Sequence, residues 1–384
     1  MAFVGVEEAL TELRSGRMVV VVDDSDRENE GDLTICAEHA TPEAINFMAT
    51  HGRGLICLAM TEERLDELSI PLVSQRNTSM FGTAFSEPID AARGVTTGIS
   101  AADRSCTIQV AINPATRASD LARPGHVHTL RARRGGVLVR AGQTEAAVDL
   151  ARLAGSAPAG VICEVMKDDG TMARVPDLLA FCARHGLRML KVASLIRYRL
   201  ENETCVRPIA EGIADTEFGL FRALAYGTDL DDEVHVALVH GDPAQAEAAM
   251  VRMHSHDLFG DVFGARANPG FRHIRDSMRM ICQEGCGALV YLHHRALGFA
   301  IDEVAGGVGT IVPHPQLATA PSDDGVSRLQ YRIGLGAQIL KDLGLRRIRL
   351  LTDRPRRVGG LEGFGIQIVD QIPIMAVDLP VAVA

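Results

Sequence analysis

The run Met18-Val19-Val20-Val21-Val22, followed at once by Asp23-Asp24-Ser25-Asp26-Arg27-Glu28-Asn29-Glu30-Gly31-Asp32, constrains this chain more than any other feature. Four consecutive valines read as a short buried strand. Four aspartates and two glutamates then crowd into ten residues. Carboxylates this close repel one another, and they need a cation, a proton or Arg27 to stay folded. A buried strand that opens into such a loop puts oxygen ligands at a sheet edge, where α/β enzymes place their chemistry. Oxygen ligands suit a hard divalent cation such as Mg²⁺ or Mn²⁺. The plain alternative is a solvated acidic turn. Arg27 and Gly31 inside the cluster, and the strand before it, favour a built site.

At 384 residues the chain exceeds one ordinary core and predicts two domains. A net charge of −10 argues against general nucleic-acid binding. No apolar run reaches membrane-spanning length. The first residues lack the basic-then-apolar pattern of a signal peptide, so a cytoplasmic location is expected. Eight cysteines in so long a chain make no disulfide framework, and Cys36, Cys57 and Cys182 sit in apolar runs as small core residues.

The pattern along the chain predicts a helix over 6–15, ending at Gly16, and then the strand 18–22. Thr41-Pro42-Glu43 reads as the start of a helix to about His51. Gly54–Met60 reads as a strand, Thr61 caps a helix over Glu62–Leu68, and Ser100 caps another. Residues 70–93 read as turn-rich. Gly135–Glu145 reads as a strand, a small-residue turn and a helix start, with the helix over Ala146–Leu153. Backbone N–H groups at that turn, beside Arg140 and Thr144, offer a phosphate cradle. Val161–Val165 is a strand whose only charge is Glu164, and Pro176–His185 is a helix. The polar stretch Arg199–Thr204 breaks the pattern and marks a domain boundary near 200–208. Beyond it, strands are expected over Phe218–Tyr226, Val234–His240, Ala288–His293 and Ile348–Leu351, with helices over 272–284 and Ile333–Leu343. This alternation argues for α/β architecture in both halves.

The blocks Asp26–Asp32, Gly94–Arg104, Arg123-Pro124-Gly125-His126-Val127, Gly135–Glu145 and Glu164–Arg174 carry a specific likeness. In that order they resemble the 3,4-dihydroxy-2-butanone 4-phosphate synthase family. The resemblance implies an α/β sandwich over residues 1–203 that converts ribulose 5-phosphate to 3,4-dihydroxy-2-butanone 4-phosphate and formate. It implies that Arg27, Glu28 and Asp32 contact substrate and that Glu28 also ligates Mg²⁺ or Mn²⁺. It further implies that Arg140-Ala141-Gly142-Gln143-Thr144 hold the substrate and that Glu164 is a further acid/base group. His126 takes a supporting role in the catalytic set of Glu28, Asp32, His126 and Glu164. One position departs: Gln143 stands where the family has a metal-binding histidine. An amide oxygen can serve a hard cation, but it cannot take up a proton. Retained activity is the reading taken, because the other site residues are present.

Residues 209–375 resemble GTP cyclohydrolase II through Thr216–Gly219, His235–Gly241, Arg252–Ser255, Gly260–Gly264, Gly336–Leu340 and Gly360–Gly363. The resemblance implies a second α/β domain. The three zinc-binding cysteines of that family fall on Asp257, Ala267 and Pro269 here. Alanine and proline side chains cannot ligate zinc, so no zinc and no cyclohydrolase activity are expected. The family's catalytic Asp, Arg and Tyr fall on Leu329, Tyr331 and Ile333, while Thr352 is retained and Arg357 stands for a phosphate-binding lysine. The whole chain thus resembles the bifunctional riboflavin-biosynthesis fusion, with a degenerate second domain. A homodimer, and contact with other enzymes of that pathway, are expected by resemblance. The competing reading is a non-catalytic, regulatory or partner-binding paralogue.

Overall fold

In the computed structural model of this chain the valine run forms β1 (Val19–Val22), fully buried. The structure describes residues 3–23, 28–74, 76–79, 81–230, 233–264, 270–293, 299–302, 310–313, 325–352, 361 and 364–374. Of these, 299–302, 310–313 and 325–331 are described by their backbone alone. The chain divides into two compact units, Met1–Arg199 and Leu200–Ala384.

The first unit opens with α1 (Val6–Arg14), which ends before Gly16 in the left-handed region. After β1, the acidic stretch returns as β2 (Gly31–Cys36), antiparallel to it and buried throughout. The unit continues with α2 (Pro42–Phe47), β3 (Cys57–Thr61), α3 (Glu62–Glu67), β4 (Phe85–Ala91), α4 (Ala101–Ile112) and β5 (Leu121–Ala132). It closes with α5 (Gln143–Ala154), β6 (Ala159–Glu164), α6 (Val175–His185), β7 (Arg188–Lys191) and α7 (Val192–Asn202). Thr41, Thr61 and Ser100 cap α2, α3 and α4 with their hydroxyls, as their spacing predicts.

The seven strands run β4-β5-β3-β6-β2-β1-β7. Alternate residues serve opposite faces. Val20, Val22, Leu33, Ile35, Val161 and Cys163 join Ile45, Met48, Ile108 and Leu178 in the larger core. On the other face Cys57, Ala59, Leu130 and Ile162 pack under Ala147 and Val148 of α5. Gly160 lets α5 down onto the sheet: a Cβ there would stand 2.8 Å from the Ala147 Cβ and 2.9 Å from its carbonyl oxygen.

Three expectations change. Gly136–Leu138 is a 3₁₀ turn rather than a strand, because Gly135 and Gly136 both take positive φ, and the helix starts at Gln143, not Ala146. The turn-rich 70–93 stretch contains β4, and the Arg123–Val127 block lies inside β5. Pro88 and Pro124 mask these strands in the sequence; irregularities between Ser86 and Ile89, and between Ile89 and Asp90, accommodate them at the sheet edge. Gly31 and Asp32 belong to a central strand and not to the loop.

The second unit has β8 (Val206–Thr216), β9 (Gly219–Thr228), β10 (Val234–His240), β11 (Ala249–Ser255), α8 (Leu258–Asp261), α9 (Gly270–Glu284) and β12 (Gly287–Leu292). The short pair β13 (Phe299–Asp302) and β14 (Thr310–Pro313), then α10 (Gly325–Asp342), β15 (Arg347–Leu351) and β16 (Gln367–Ile372), complete it. Its main sheet runs β16-β15-β11-β12-β10-β9-β8. Phe221, Met250, Leu289 and Leu351 meet Met278 and Ile281 of α9 in its core. The sequence pattern begins this unit's strands at Phe218. It misses β8, most of whose residues are exposed and so carry no apolar alternation.

Two stability effects follow. Gly160→Ala should cost about 1–3 kcal/mol through overpacking against Ala147, read as a lower urea midpoint at unchanged m. Asp103 gathers Thr96 N, Thr96 Oγ1 and Gly98 N at 3.0, 2.7 and 3.1 Å. The hydrogen bonds from Thr96, ahead of those from Gly98 and Ser100, bring its carboxyl down to about 2. A depressed folded value gives stability that is present above the ordinary carboxylate range and is lost as pH falls through the folded value. Thermal melts of Asp103→Asn should therefore lie below wild type at neutral pH and converge with it as pH approaches 2.

Candidate active site

Register builds the site. Val21 of β1 pairs with Asp32 of β2, and Asp32 pairs with Glu164 of β6. Residues opposite one another across adjacent strands share a face. Leu33, Ile35, Val161 and Cys163 take the larger core, so Asp32 and Glu164 take the α5 face. That face also receives the first residue of α5, Gln143, whose Nε2 donates to the Val21 carbonyl at 3.0 Å. Three polar side chains from three distant parts of the sequence thus gather at one end of α5. Gly52 and Gly54 let the neighbouring loop come close: a Cβ on Gly54 would stand 2.5 Å from Glu164 Oε2. The backbone N–H of Leu55 donates to that same oxygen at 2.8 Å and orients the Glu164 carboxylate.

Burial holds Asp32 well above the usual carboxylate range, and the charges of Glu164, Glu28, Asp23 and Glu30 add to the effect. Glu30 is also raised, first by burial and then by Glu28, with Arg174 opposing. Cys57 and Cys163 lie beside the pair, and burial keeps both as thiols; Cys163 is pushed up to about 12. Neither is poised as a nucleophile.

The start of the acidic loop is anchored by Asp23, which accepts from Glu28 N at 3.1 Å and Glu30 N at 2.9 Å. Arg27 lies outside the described residues. On the other side, the Arg140 guanidinium donates to Glu145 Oε2 at 2.6 Å, to Phe81 O at 3.1 Å and to Thr83 Oγ1 at 3.2 Å. Glu145 is 1% exposed, so this ion pair is interior. It crosses over Gly142, where a Cβ would stand 2.3 Å from Arg140 Nη1. Arg140, Ala141, Gly142, Gln143 and Thr144 therefore form one tied loop at the N-terminus of α5. His126 is set apart. Its strand β5 is two places from β6, about 10 Å at ordinary strand spacing, and its Nδ1 lies 2.7 Å from Asp90 Oδ2.

The donor set fits a hard cation. A carbonyl only accepts, so the Gln143 end at Val21 O is the NH₂ group, and Oε1 is the other end. Gln143 is 6% exposed, and Oε1 has no hydrogen-bond partner. A buried acceptor without a donor, on the face shared by the buried Asp32 carboxyl, is an arrangement a divalent ion completes. The Val21 carbonyl orients the amide as outer-shell carbonyls orient metal-binding imidazoles.

Sequence reasoning assigns no role to Asp23, Asp90, Glu145 or Arg174. Arg174 and Glu145 fall within the quoted blocks, but nothing in their spacing shows that one reaches the acidic loop and the other neutralises Arg140.

The sequence model of the family 3,4-dihydroxy-2-butanone 4-phosphate synthase matches residues 7–198, and that of GTP cyclohydrolase II matches residues 208–373. A riboflavin biosynthesis protein RibBA of Aquifex aeolicus is 48% identical over 379 residues, 96% of this chain and 92% of that protein. Its counterpart in Bacillus mycoides is 44% identical over 376 residues, 96% of this chain and 93% of the relative. Among solved structures, RibBX of A. baumannii, a two domain 3,4-dihydroxy-2-butanone 4-phosphate synthase, aligns with a TM-score of 0.80. It is 38% identical and covers 96% of this chain and 99% of its own. A 3,4-dihydroxy-2-butanone 4-phosphate synthase in complex with two magnesium ions aligns over 52% of this chain and 99% of its own, at 38% identity and a TM-score of 0.50. No helix among the described residues is long and apolar enough to cross a membrane. The chain belongs to the family of riboflavin-biosynthesis enzymes in which a 3,4-dihydroxy-2-butanone 4-phosphate synthase domain is followed by a GTP cyclohydrolase II domain.

Proposed function

We propose that the N-terminal domain, residues 1–203, converts D-ribulose 5-phosphate to L-3,4-dihydroxy-2-butanone 4-phosphate and formate, and that the domain over 209–375 has no GTP cyclohydrolase II activity. The observation that carries the first half is the meeting of Asp32, Glu164 and the open Gln143 Oε1 on one face of the sheet. Product and formate together contain all the atoms of the substrate, so the reaction calls for proton movements and no outside reductant or oxidant. Burial and the neighbouring carboxylates hold the Asp32 carboxyl above its ordinary range, the direction that suits a group that gives and takes a proton. Glu164, fixed by Leu55 N, stands beside it as the second acid/base group. The tied Arg140–Thr144 loop, at the positive end of α5, holds the phosphate-bearing substrate, and Arg27 is a substrate contact by family resemblance. Glu28 and Gln143 hold Mg²⁺ or Mn²⁺, which when bound supplies Lewis-acid stabilisation of negative charge developing at the sugar carbonyl. In this reading His126 supports the site from β5, and the protein is a cytoplasmic homodimer.

The second half rests on the zinc positions. Asp257 now caps α8, accepting from Gly260 N at 3.1 Å, and Ala267 and Pro269 have no ligating atoms. Ala267 and Pro269, with Arg357, lie outside the described residues; Leu329 and Tyr331 are described by their backbone alone. RibBX of A. baumannii, similar over nearly the whole chain, is a two domain protein described by the synthase activity alone.

Purified protein should release formate from ribulose 5-phosphate only with Mg²⁺ or Mn²⁺, and it should not turn over GTP even with added zinc. Gln143→His should keep formate release, whereas Gln143→Ala should lower it at least about 100-fold, the scale of several kcal/mol of lost charge stabilisation. An inactive wild type whose activity appears in Gln143→His would show the site disarmed at that one position and would favour the regulatory or partner-binding paralogue instead.

A further inference from the structure

The turn Glu28–Glu30 is held from both sides. Its N–H groups are taken by Asp23, from Glu28 and from Glu30. Its carbonyls converge elsewhere. Asn29 takes φ +52°, a left-handed conformation that few residues other than glycine adopt. The carbonyls of Glu28 and Asn29 both meet Nη1 of Arg174, at 2.5 and 2.7 Å, and the same nitrogen stands 3.7 Å from Glu30 Oε1. Arg174 is itself fixed at the start of α6, where its backbone N–H donates to Asp177 Oδ2 at 3.0 Å. One turn further along, Leu178 packs where a Cβ on Gly31 would lie, 2.5 Å away. The start of α6 therefore meets the acidic loop at Glu28–Asn29 and the first residue of β2 at Gly31.

We propose that Arg174 is a positioning residue for the reaction: its guanidinium sets the Glu28 backbone, and with it the Glu28 carboxylate, in the geometry that receives the divalent cation. This rests on the synthase reading above. The geometry asks for arginine. Two carbonyls and a carboxylate meet a single guanidinium nitrogen, and the planar fork keeps that donor at a fixed angle. The left-handed turn at Asn29, a conformation asparagine tolerates, is held on its two sides by Asp23 and Arg174. Arg174 also brings positive charge to a loop dense in carboxylates while leaving the Gln143 Oε1 side to the cation. Its guanidinium stays protonated and acts through the Glu28 turn, so it is no acid or base of the reaction.

The test compares wild type, Arg174→Met and Arg174→Lys in the full chain. Mn²⁺ binding is read by electron paramagnetic resonance, formate kinetics by kcat and KM, and folding by circular dichroism and thermal melts. Arg174→Met should bind Mn²⁺ about 10- to 100-fold more weakly, the range for outer-shell partners of metal ligands. Its kcat should fall with KM for ribulose 5-phosphate little changed, and its melting temperature should stay near wild type. Arg174→Lys keeps the charge without the fork and should fall between the two. A merely structural arginine would lower the melting temperature and leave Mn²⁺ affinity per folded molecule unchanged, and that result overturns the proposal. If Arg174→Met does not fold, the Arg174→Lys comparison decides: wild-type Mn²⁺ affinity there overturns the proposal, and weaker binding upholds it. Wild type that neither binds Mn²⁺ nor releases formate overturns the synthase reading and this proposal with it. Active, Mn²⁺-binding wild type matched by both variants overturns this proposal alone.

Discussion

Two carboxylates placed opposite one another on neighbouring central strands are the constraint on which the first unit depends. The β2–β6 register sets Asp32 against Glu164, and Asp32 is buried. In an ordinary core such a pair would be replaced by valines. Here it can be sustained only by protonation, by a bound cation, or by fixed dipoles around it. The architecture around the pair supplies part of the last, through Leu55 N on Glu164 and the N-terminus of α5, and leaves the rest to a proton or a cation. The fold thus carries an electrostatic load in its centre, and the local irregularities are arranged to bear it.

Those irregularities have one theme, which is backbone brought close to polar side chains. Gly54 admits the Glu164 carboxylate and Gly142 the Arg140–Glu145 pair. Gly136, with φ +61°, leaves room for Asp149, whose Oδ2 accepts from Val137 N at 2.8 Å and from Arg199 Nη1 at 2.8 Å. The turn before Arg140 is thereby tied to α5 and α7 before the site loop begins. Each pairing places charge in the interior beside a matched partner, where removing one member costs more than the pair contributes. The loop at the head of α5 is consequently a rigid platform, and Gln143 is its leading residue.

Much of this was open to reading from residues alone, and what was not has a physical reason. The caps at Thr41, Thr61 and Ser100 are legible because capping is local: a hydroxyl three residues before an amide. Glu164 is conspicuous because a lone charge inside an apolar strand demands a reason. The strand at Phe85–Ala91 and the block at Leu121–Ala132 are hidden by proline, since bulges at a sheet edge suspend the rule that prolines break strands. Gly135–Leu138 reads as extended by composition, yet two positive φ angles make it a turn. Arg174 is illegible for a different reason: its partners are 146 and 145 residues away, and no spacing encodes a contact of that range.

The second unit carries a polar network of its own. His254 Nε2 lies 2.8 Å from Asp261 Oδ1, and the Tyr291 hydroxyl donates to Asp261 Oδ2 at 2.8 Å. That hydroxyl has one proton, so it must accept from His256 Nδ1, 2.7 Å away, and the tautomer of His256 is set by the chain of bonds. Asp257, at a cysteine position of the cyclohydrolase family, turns its oxygen to the N-terminus of α8. These groups stand at the ends of β11 and β12, the edge where parallel sheets hold ligands. The bonds among His254, Asp261, Tyr291 and His256 fix these side chains relative to one another. Asp257 takes part in the local order of this unit through its cap on α8, as a side-chain oxygen at a helix N-terminus does.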